Sequence, residues 1–169
     1  MFRSLGVMLG VVAALAGRER AAQQTYRRAD VDSSGQLRII VAGGRTIRPP
    51  TDRGQVDVGQ IAISPDRRTV GWVALYSNEG PTYPIPLELV LLTAGTARTV
   101  VGNGLPIWQW AFSADGRRVV LRQAPLHGAA PAHYELREIL TGGLVSSFDA
   151  EAAPSRALPR WVRGLSPPP

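Results

Sequence analysis

Two stretches of this chain alternate large apolar residues with smaller or polar ones. Residues 60–64 (QIAIS) and 109–113 (QWAFS) match position for position. A period of two is typical of a strand that buries one face, so both stretches predict strands, with Trp110 and Phe112 in the core. Each is followed by residues typical of tight turns, because proline presets φ, aspartate bonds nearby backbone and glycine tolerates a positive φ. The repeated turn residues are Ser64, Pro65, Asp66, Ser113, Asp115 and Gly116.

The similarity continues beyond these strands. The sequence ISPDRRTV at 63–70 returns as FSADGRRV at 112–119, and the two serines lie 49 residues apart. A period of that size is typical of repeated β-units such as four-stranded propeller blades. The two units, about 58–101 and 107–149, therefore have the size of blades. Their further strands are predicted at 69–75, 87–92 and 97–101 in the first unit and at 118–123, 134–140 and 144–148 in the second.

Partial copies flank the two units. Residues 39–43 (IIVAG) resemble the LLTAG that ends the third strand of the first unit, which predicts part of an earlier blade over about 26–48. Residues 158–161 (LPRW) echo the LPIW that leads into the first strand of the second unit. The proline-rich segment 154–169 closes the chain, and its last residues are expected to form a loose tail.

The Ser-Pro-Asp-(Gly)-Arg-Arg-Val core resembles the WD-like β-propeller repeat of TolB-type periplasmic proteins and of the propellers in some oligopeptidases. The resemblance covers roughly residues 37–149. Two positions depart from the repeat, since Arg67 stands where glycine is usual and Ala114 where proline is usual. The resemblance implies a propeller-type fold and a role as a periplasmic interaction platform.

The number of blades is small. Propellers close with about four to eight blades, and two alone would leave strand edges and apolar faces in water, which natural proteins avoid. The chain is therefore expected to self-associate into a ring, to pack as an open sheet stack, or to be a degenerate relative of larger propellers. We predict an all-β fold of antiparallel four-stranded propeller-like blades, forming an incomplete propeller or an open sheet stack after an N-terminal signal helix. Trp72, Trp108 and Trp161 are expected between blades or at an association surface.

The N-terminus predicts export. Arg3 provides a short positive region, residues 5–16 are apolar or glycine, and Ala14-Leu15-Ala16 has the small-x-small pattern of a cleavage site. We therefore predict a signal peptide over 1–16, cleaved after Ala16, and a periplasmic or secreted protein without a stable membrane span. An uncleaved anchor or a buried N-terminal helix is the alternative, although about twelve apolar residues are too few for an ordinary span of roughly twenty.

The charge pattern and the lack of cysteine limit the classes of partner and of chemical site that we expect. All 19 cationic residues are arginine and the net charge is +6, but the arginines lie in scattered pairs rather than on one segment. Nucleic acid is therefore not favoured, since its binding needs a clustered basic face. The chain has no cysteine, which excludes disulfides, thiolate metal sites and a cysteine nucleophile.

Catalytic patterns are absent from the sequence. His127 and His133 fall in the variable loop predicted for the second blade and match no established ligand spacing, so they are candidates only for a binding surface. No Gly-x-Ser-x-Gly elbow occurs, and Ser64 and Ser113 are expected to bond the turn backbone. A phosphate loop ending in lysine is excluded because the chain has no lysine.

Residues 30–36 (DVDSSGQ) resemble the opening of an EF-hand-type calcium loop. Asp30, Asp32 and Ser34 would be the metal ligands, but the twelfth position is Val41 where a bidentate glutamate is needed. A polar turn between strands is the favoured interpretation, and no cofactor is expected.

These observations favour an exported, non-catalytic binding or scaffold protein of the cell envelope, with a protein partner or self-association. The alternatives are the propeller portion of a hydrolase of peptidase or glycosidase type and a degenerate propeller fragment without activity. Fold alone does not decide among them. A compact pocket with His127 or His133 beside a carboxylate would favour the hydrolase.

Overall fold

The protein is described by a computed structural model that covers residues 24–78, 83–127, 130–150 and 158–165. Over these residues the chain forms antiparallel sheets and one short 3-10 helix. The predicted all-β class and four-stranded antiparallel sheets are confirmed, and the sheets are open rather than closed into a barrel. None of the described residues belongs to a helix long and apolar enough to cross a membrane. The predicted signal peptide, 1–16, lies outside the described residues.

The first sheet has three strands in sequence order, β1 (Tyr26–Val31), β2 (Leu37–Val41) and β3 (Thr46–Ile47). Its strands fall within the region predicted as part of an earlier blade. Leu37, Ile39 and Val41 alternate with less buried residues along β2, as expected for a strand with one apolar face.

The middle and last sheets each have four strands paired in sequence order. Every strand therefore runs antiparallel to the next, which short turns and loops allow. The strands predicted from the repeat lie where the structure has them, with ends that differ by up to five residues. The middle sheet has β4 (Gln55–Ile63), β5 (Thr69–Tyr76), β6 (Ile85–Thr93) and β7 (Thr96–Val100), and the last has β8 (Ile107–Phe112), β9 (Arg118–Gln123), β10 (His133–Glu138) and β11 (Leu144–Asp149).

The middle sheet packs face to face between the other two. One core cluster joins it to the first sheet through residues such as Ile39, Val70 and Trp72. The second cluster joins it to the last sheet, and Trp110 lies within it with Phe112 packed against it. Alternation along β5 explains this arrangement, because successive side chains point to opposite faces and both faces are buried.

The two outer faces of the stack differ. On the first sheet, Arg28, Asp30 and Arg38 form ion pairs on the face away from the core. On the last sheet, Val120 and Leu136 are cross-strand partners on the outward face and are buried.

A 3-10 helix (Arg160–Gly164) contacts β9 and buries Val162. The LPRW sequence at 158–161, which echoes LPIW of the second unit, thus enters a short helix here and not a strand, with Pro159 just before the helix.

The turns that follow β4, β6, β8 and β10 gather at one end of the stack, which we call the turn end. In an antiparallel meander the first and third turns share an end. A single groove lined by Asp66, Ala94, Gly116 and Ile139 shows that the turn ends of both four-stranded sheets lie side by side.

Candidate binding surface at the turn end

The first copy of the repeated motif forms a closely hydrogen-bonded turn. The Ser64 hydroxyl donates to Asp66 Oδ1 at 2.7 Å and accepts from the Thr69 amide at 2.9 Å. The Arg68 amide donates to the same aspartate oxygen at 3.0 Å. The serine and aspartate side chains therefore hold the β4–β5 turn, and neither is free for chemistry.

The second copy repeats this geometry. The Ser113 hydroxyl donates to Asp115 Oδ1 at 2.6 Å and accepts from the Arg118 amide at 3.0 Å, while the Arg117 amide donates to Asp115 at 3.0 Å. The bond from the Ser113 hydroxyl, followed by that from the Arg117 amide, holds the pKa of Asp115 below its ordinary value. Sequence similarity and hydrogen-bond geometry thus coincide in the two copies.

The position after the aspartate differs between the copies but has one conformation. Arg67 and Gly116 have φ of 60° and 66°, the left-handed region that glycine tolerates and other residues disfavour. Arg67 offsets this cost by donating from Nε to the Tyr26 carbonyl at 2.9 Å and from Nη2 to the Arg27 carbonyl at 2.6 Å. A Cβ at Gly116 would lie 3.2 Å from Asp66 Cγ. The two turns therefore interlock, and Arg67 ties them to the first sheet.

The turn end contains a groove of about 480 Å³. Residues from all three sheets or their flanks contribute to it, and Leu140 on its border is 72 % exposed. The lining residues are Gln24, Asp66, Arg68, Thr69, Thr93, Ala94, Gly116, Arg117, Glu138, Ile139 and Leu140. A rigid stack of sheets thus positions a partly apolar groove made of turn residues, and turns on such scaffolds commonly carry binding function.

The groove is bordered by cations. Arg68 and Arg117 line it, and the Arg45 guanidinium approaches it by donating to Gln24 Oε1 at 3.3 Å. Within the described residues none of the three forms an ion pair. We call Arg45, Arg68 and Arg117 the arginine rim.

The carboxylates of the groove already have partners. Asp66 is held in its own turn by Ser64 and the Arg68 amide. Glu138 accepts from Arg118 Nε at 2.7 Å. The side chains of the arginine rim are therefore left to face solvent or a ligand.

Arg68 and Arg117 occupy the same position in the two copies of the motif, two residues after its aspartate. This shared position is the sequence signal for the arginine rim, and the prediction of scattered arginines overlooked it. The pairs Arg67-Arg68 and Arg117-Arg118 are visible in the sequence, but they appeared scattered because they are far apart along the chain. Stacking of the two sheets brings them to one groove.

The tryptophans expected between blades or at an association surface lie outside the groove. Trp72 is 3 % exposed between the first and middle sheets, so of its two expected places it has the one between layers. Trp108 is half-buried and its indole donates to the Ala124 carbonyl at 2.9 Å. Trp161 is half-buried in the 3-10 helix. None of the three lines the turn-end groove.

The two histidines have different environments. His127 is exposed in the loop between β9 and β10. His133 is the first residue of β10, which corrects its predicted place in that loop. Its Nδ1 lies 2.6 Å from Asp149 Oδ1 and its Nε2 lies 3.3 Å from Glu135 Oε1. Glu135 is 2 % exposed and also accepts from Arg137 Nε at 2.7 Å, so this group ties β10 to its neighbour and balances a buried charge.

The candidate calcium ligands take part in hairpin bonds. Asp32 Oδ1 accepts from the Ser34 hydroxyl at 2.5 Å and from the Gln36 amide at 3.2 Å, and the Ser34 hydroxyl bond is the largest cause of its lowered pKa. Asp30 pairs with Arg38 and Arg28, and the Arg38 bond holds its pKa low. Within the described residues no group of three or more His, Asp or Glu could hold a metal ion.

One further polar contact lies away from the turn end. The Tyr76 hydroxyl donates to Glu88 Oε2 at 2.6 Å between β5 and β6. Burial, followed by this bond to a carboxylate, raises the pKa of Tyr76. The phenol is therefore a neutral donor that closes the other end of the middle sheet, and no spacing in the sequence indicated it.

No protein-family model matches this chain, and a search of curated proteins gives no match.

Proposed function

We propose that the chain is an exported, non-catalytic binding or scaffold protein of the cell envelope, and that the turn-end groove with its arginine rim receives the partner. One observation carries this proposal. Both copies of the motif bring an exposed arginine, Arg68 and Arg117, to the border of the same groove. A duplicated motif that presents the same side chain twice at one place favours a contact surface.

The chemistry of the groove favours binding over catalysis. Asp66 and Glu138, its acidic side chains, are held by Ser64 and Arg118. General acid–base work needs groups that can reach a substrate and change protonation state. Groove volumes of about 300–1,000 Å³ are ordinary for ligand sites, and this one is open and lined by turn residues.

The hydrolase alternative would depend on His133. Its two ring nitrogens face Asp149 and Glu135, which resembles an acid–base arrangement. Glu135, however, is buried and paired with Arg137, and His133 does not line the turn-end groove. A structural ion-pair network accounts for this cluster, so we favour the binding role.

Export is part of the proposal and rests on the sequence of residues 1–16 alone. Fractionation of cells that produce the chain with a C-terminal tag tests it. We expect the chain in the periplasm or medium, and replacement of Leu15 by Arg should retain it inside the cell. Recovery of both forms from the cytosol would overturn this part.

Site-specific photo-crosslinking tests the binding role. A photo-reactive phenylalanine analogue replaces Leu140 at the turn end or, as the matched control, the exposed Val56 near the start of β4, at the opposite end of that strand. We expect a discrete adduct in the envelope fraction from position 140 and none from position 56. Equal adducts at both positions, or no adduct at position 140, would refute a partner at the turn end.

A further inference from the structure

We propose that the partner segment is an acidic, extended polypeptide that also carries apolar side chains. This inference rests on the proposed function, because it names the partner of the same groove. Its carboxylates would bind the arginine rim, and an apolar side chain would pack on Leu140.

The arginine rim has no acidic partner among the described residues. Arg45, Arg68 and Arg117 are exposed and form no ion pair among the described residues. The carboxylates Asp66 and Glu138 in the groove already accept hydrogen bonds. A guanidinium presents a planar fork that matches a carboxylate with two parallel hydrogen bonds. The groove therefore complements an anionic ligand.

Apolar side chains beside the arginine rim favour a polypeptide over other polyanions. Leu140 borders the groove, and the exposed side chains of Leu144 and Val145 follow it on the edge strand β11. Single-stranded nucleic acids are commonly bound by aromatic stacking platforms together with cations, and no aromatic side chain is among the residues that line this groove. Acidic and apolar side chains occur together on a polypeptide.

The edge strand β11 beside the groove supports an extended conformation of the partner segment. β11 pairs with β10 on one side, and within the described residues its other side has no neighbouring strand. Extended peptides add to exposed sheet edges through backbone hydrogen bonds, while side chains give specificity. A segment that starts at the arginine rim and passes Leu140 would reach this edge.

Fluorescence anisotropy with the full chain tests the inference. The probe is a fluorescein-labelled peptide of repeated Glu-Glu-Leu triplets, compared with a Gln-Gln-Leu peptide of the same length. We expect only the acidic peptide to bind, and NaCl at about 1 M to abolish binding because the Debye length falls to about 3 Å.

Charge reversal locates the site. Arg68→Glu with Arg117→Glu should weaken binding of the acidic peptide at least about tenfold. The matched control is Arg53→Glu with Arg160→Glu, which changes the net charge equally at two exposed arginines that do not line the groove. Equal weakening by both double variants would overturn the site, because it would show attraction to net charge alone. Circular dichroism confirms that both variants fold.

Two other results would reject the acidic polypeptide. One is equal binding of the glutamine peptide. The other is tighter binding of a single-stranded oligonucleotide, or of phosphatidylglycerol vesicles, than of the acidic peptide. If position 140 crosslinks to a partner but the acidic peptide does not bind, the proposed function stands and this inference fails.

Discussion

Arg67 and Tyr26 join the middle sheet to the first sheet by a reciprocal pair of hydrogen bonds. The Tyr26 amide donates to the Arg67 carbonyl at 2.8 Å, and Arg67 Nε donates to the Tyr26 carbonyl at 2.9 Å. Tyr26 is fully buried, so the turn of the first motif is anchored to the core of the neighbouring layer. The arginine that stands where the second copy has Gly116 thus has a structural reason.

This anchor predicts an order of stabilities among variants of Arg67. Arg67→Ala keeps the left-handed backbone cost and loses the guanidinium bonds, so its free energy of unfolding should fall by about 1–2 kcal/mol. Arg67→Gly loses the same bonds but removes the backbone cost, and it should lie between Arg67→Ala and the unchanged chain. Urea unfolding measures the three proteins.

Arg68→Ala is the matched control for this series. Its side chain makes no hydrogen bond within the described residues, so its stability should stay within about 0.5 kcal/mol of the unchanged chain. The anchor would be refuted if Arg67→Ala and Arg68→Ala unfolded at the same urea concentration.

Gly71 packs directly against Trp110, which leaves no room for a larger side chain at this contact between the middle and last sheets. A Cβ at Gly71 would overlap the Trp110 ring, whose indole also donates to the Gln60 carbonyl at 3.0 Å. Gly71→Ala should therefore cost about 1–3 kcal/mol through overpacking. Gly59→Ala is the control, because its Cβ would meet only Leu75 at an ordinary 3.7 Å.

A second substitution separates overpacking from a backbone effect. Trp110→Leu makes room at the contact, so Gly71→Ala should cost less in that background than in the unchanged chain. Thermal unfolding of the four proteins gives this coupling. Equal costs in both backgrounds would show that Gly71 is needed for its backbone and not for the space it leaves.

The lowered pKa of Asp115 predicts that acid reduces the stability contributed by the turn of the second motif copy. The pKa of its carboxyl is held below the ordinary 3.8 by Ser113 and the Arg117 amide. A lowered folded-state pKa stabilises the fold above the unfolded-state pKa, and this stabilisation is lost as the pH falls through the folded-state pKa. Asp115→Asn should therefore lower the free energy of unfolding near pH 7, and the difference should shrink as the pH falls below about 3.8.

Urea unfolding of both proteins from neutral to acidic pH checks this dependence. Ser113→Ala provides the comparison, because it removes the main cause of the lowered pKa. In that background the pH-dependent gap between aspartate and asparagine should be smaller. A gap that is the same at all pH values would rule out the charge of Asp115 as its source.

The sequence predicts local structure here better than it predicts contacts between layers. Alternation and turn chemistry locate the strands and the two motif turns, because both depend on neighbours along the chain. The burial of Trp72 depends on the first sheet, whose residues lie 25 or more positions away along the chain, and the arginine rim depends on stacking of two copies. His133 belongs to β10 because it pairs with Gln123 of β9. That pairing ends the preceding loop before His133. Such long-range features carry no periodic signal.

We expect the chain to self-associate through the edge strand β11. Leu144 and Val145 are 53 % and 44 % exposed, and Asp149 is the single charged side chain of this strand. An exposed apolar edge without lysine or proline is a template for pairing with another chain. We therefore expect the chain to associate as its concentration rises.

Val145→Lys should suppress that association, because a lysine on an edge opposes strand pairing. Val56→Lys is the control, since it places the same charge on an exposed valine of β4. Sedimentation velocity over a range of concentrations gives the mass of each protein. The edge is the contact if only Val145→Lys remains monomeric at concentrations where the unchanged chain and Val56→Lys are larger. Unchanged association of Val145→Lys would place the contact elsewhere, and a monomer at every concentration would show that the edge does not pair.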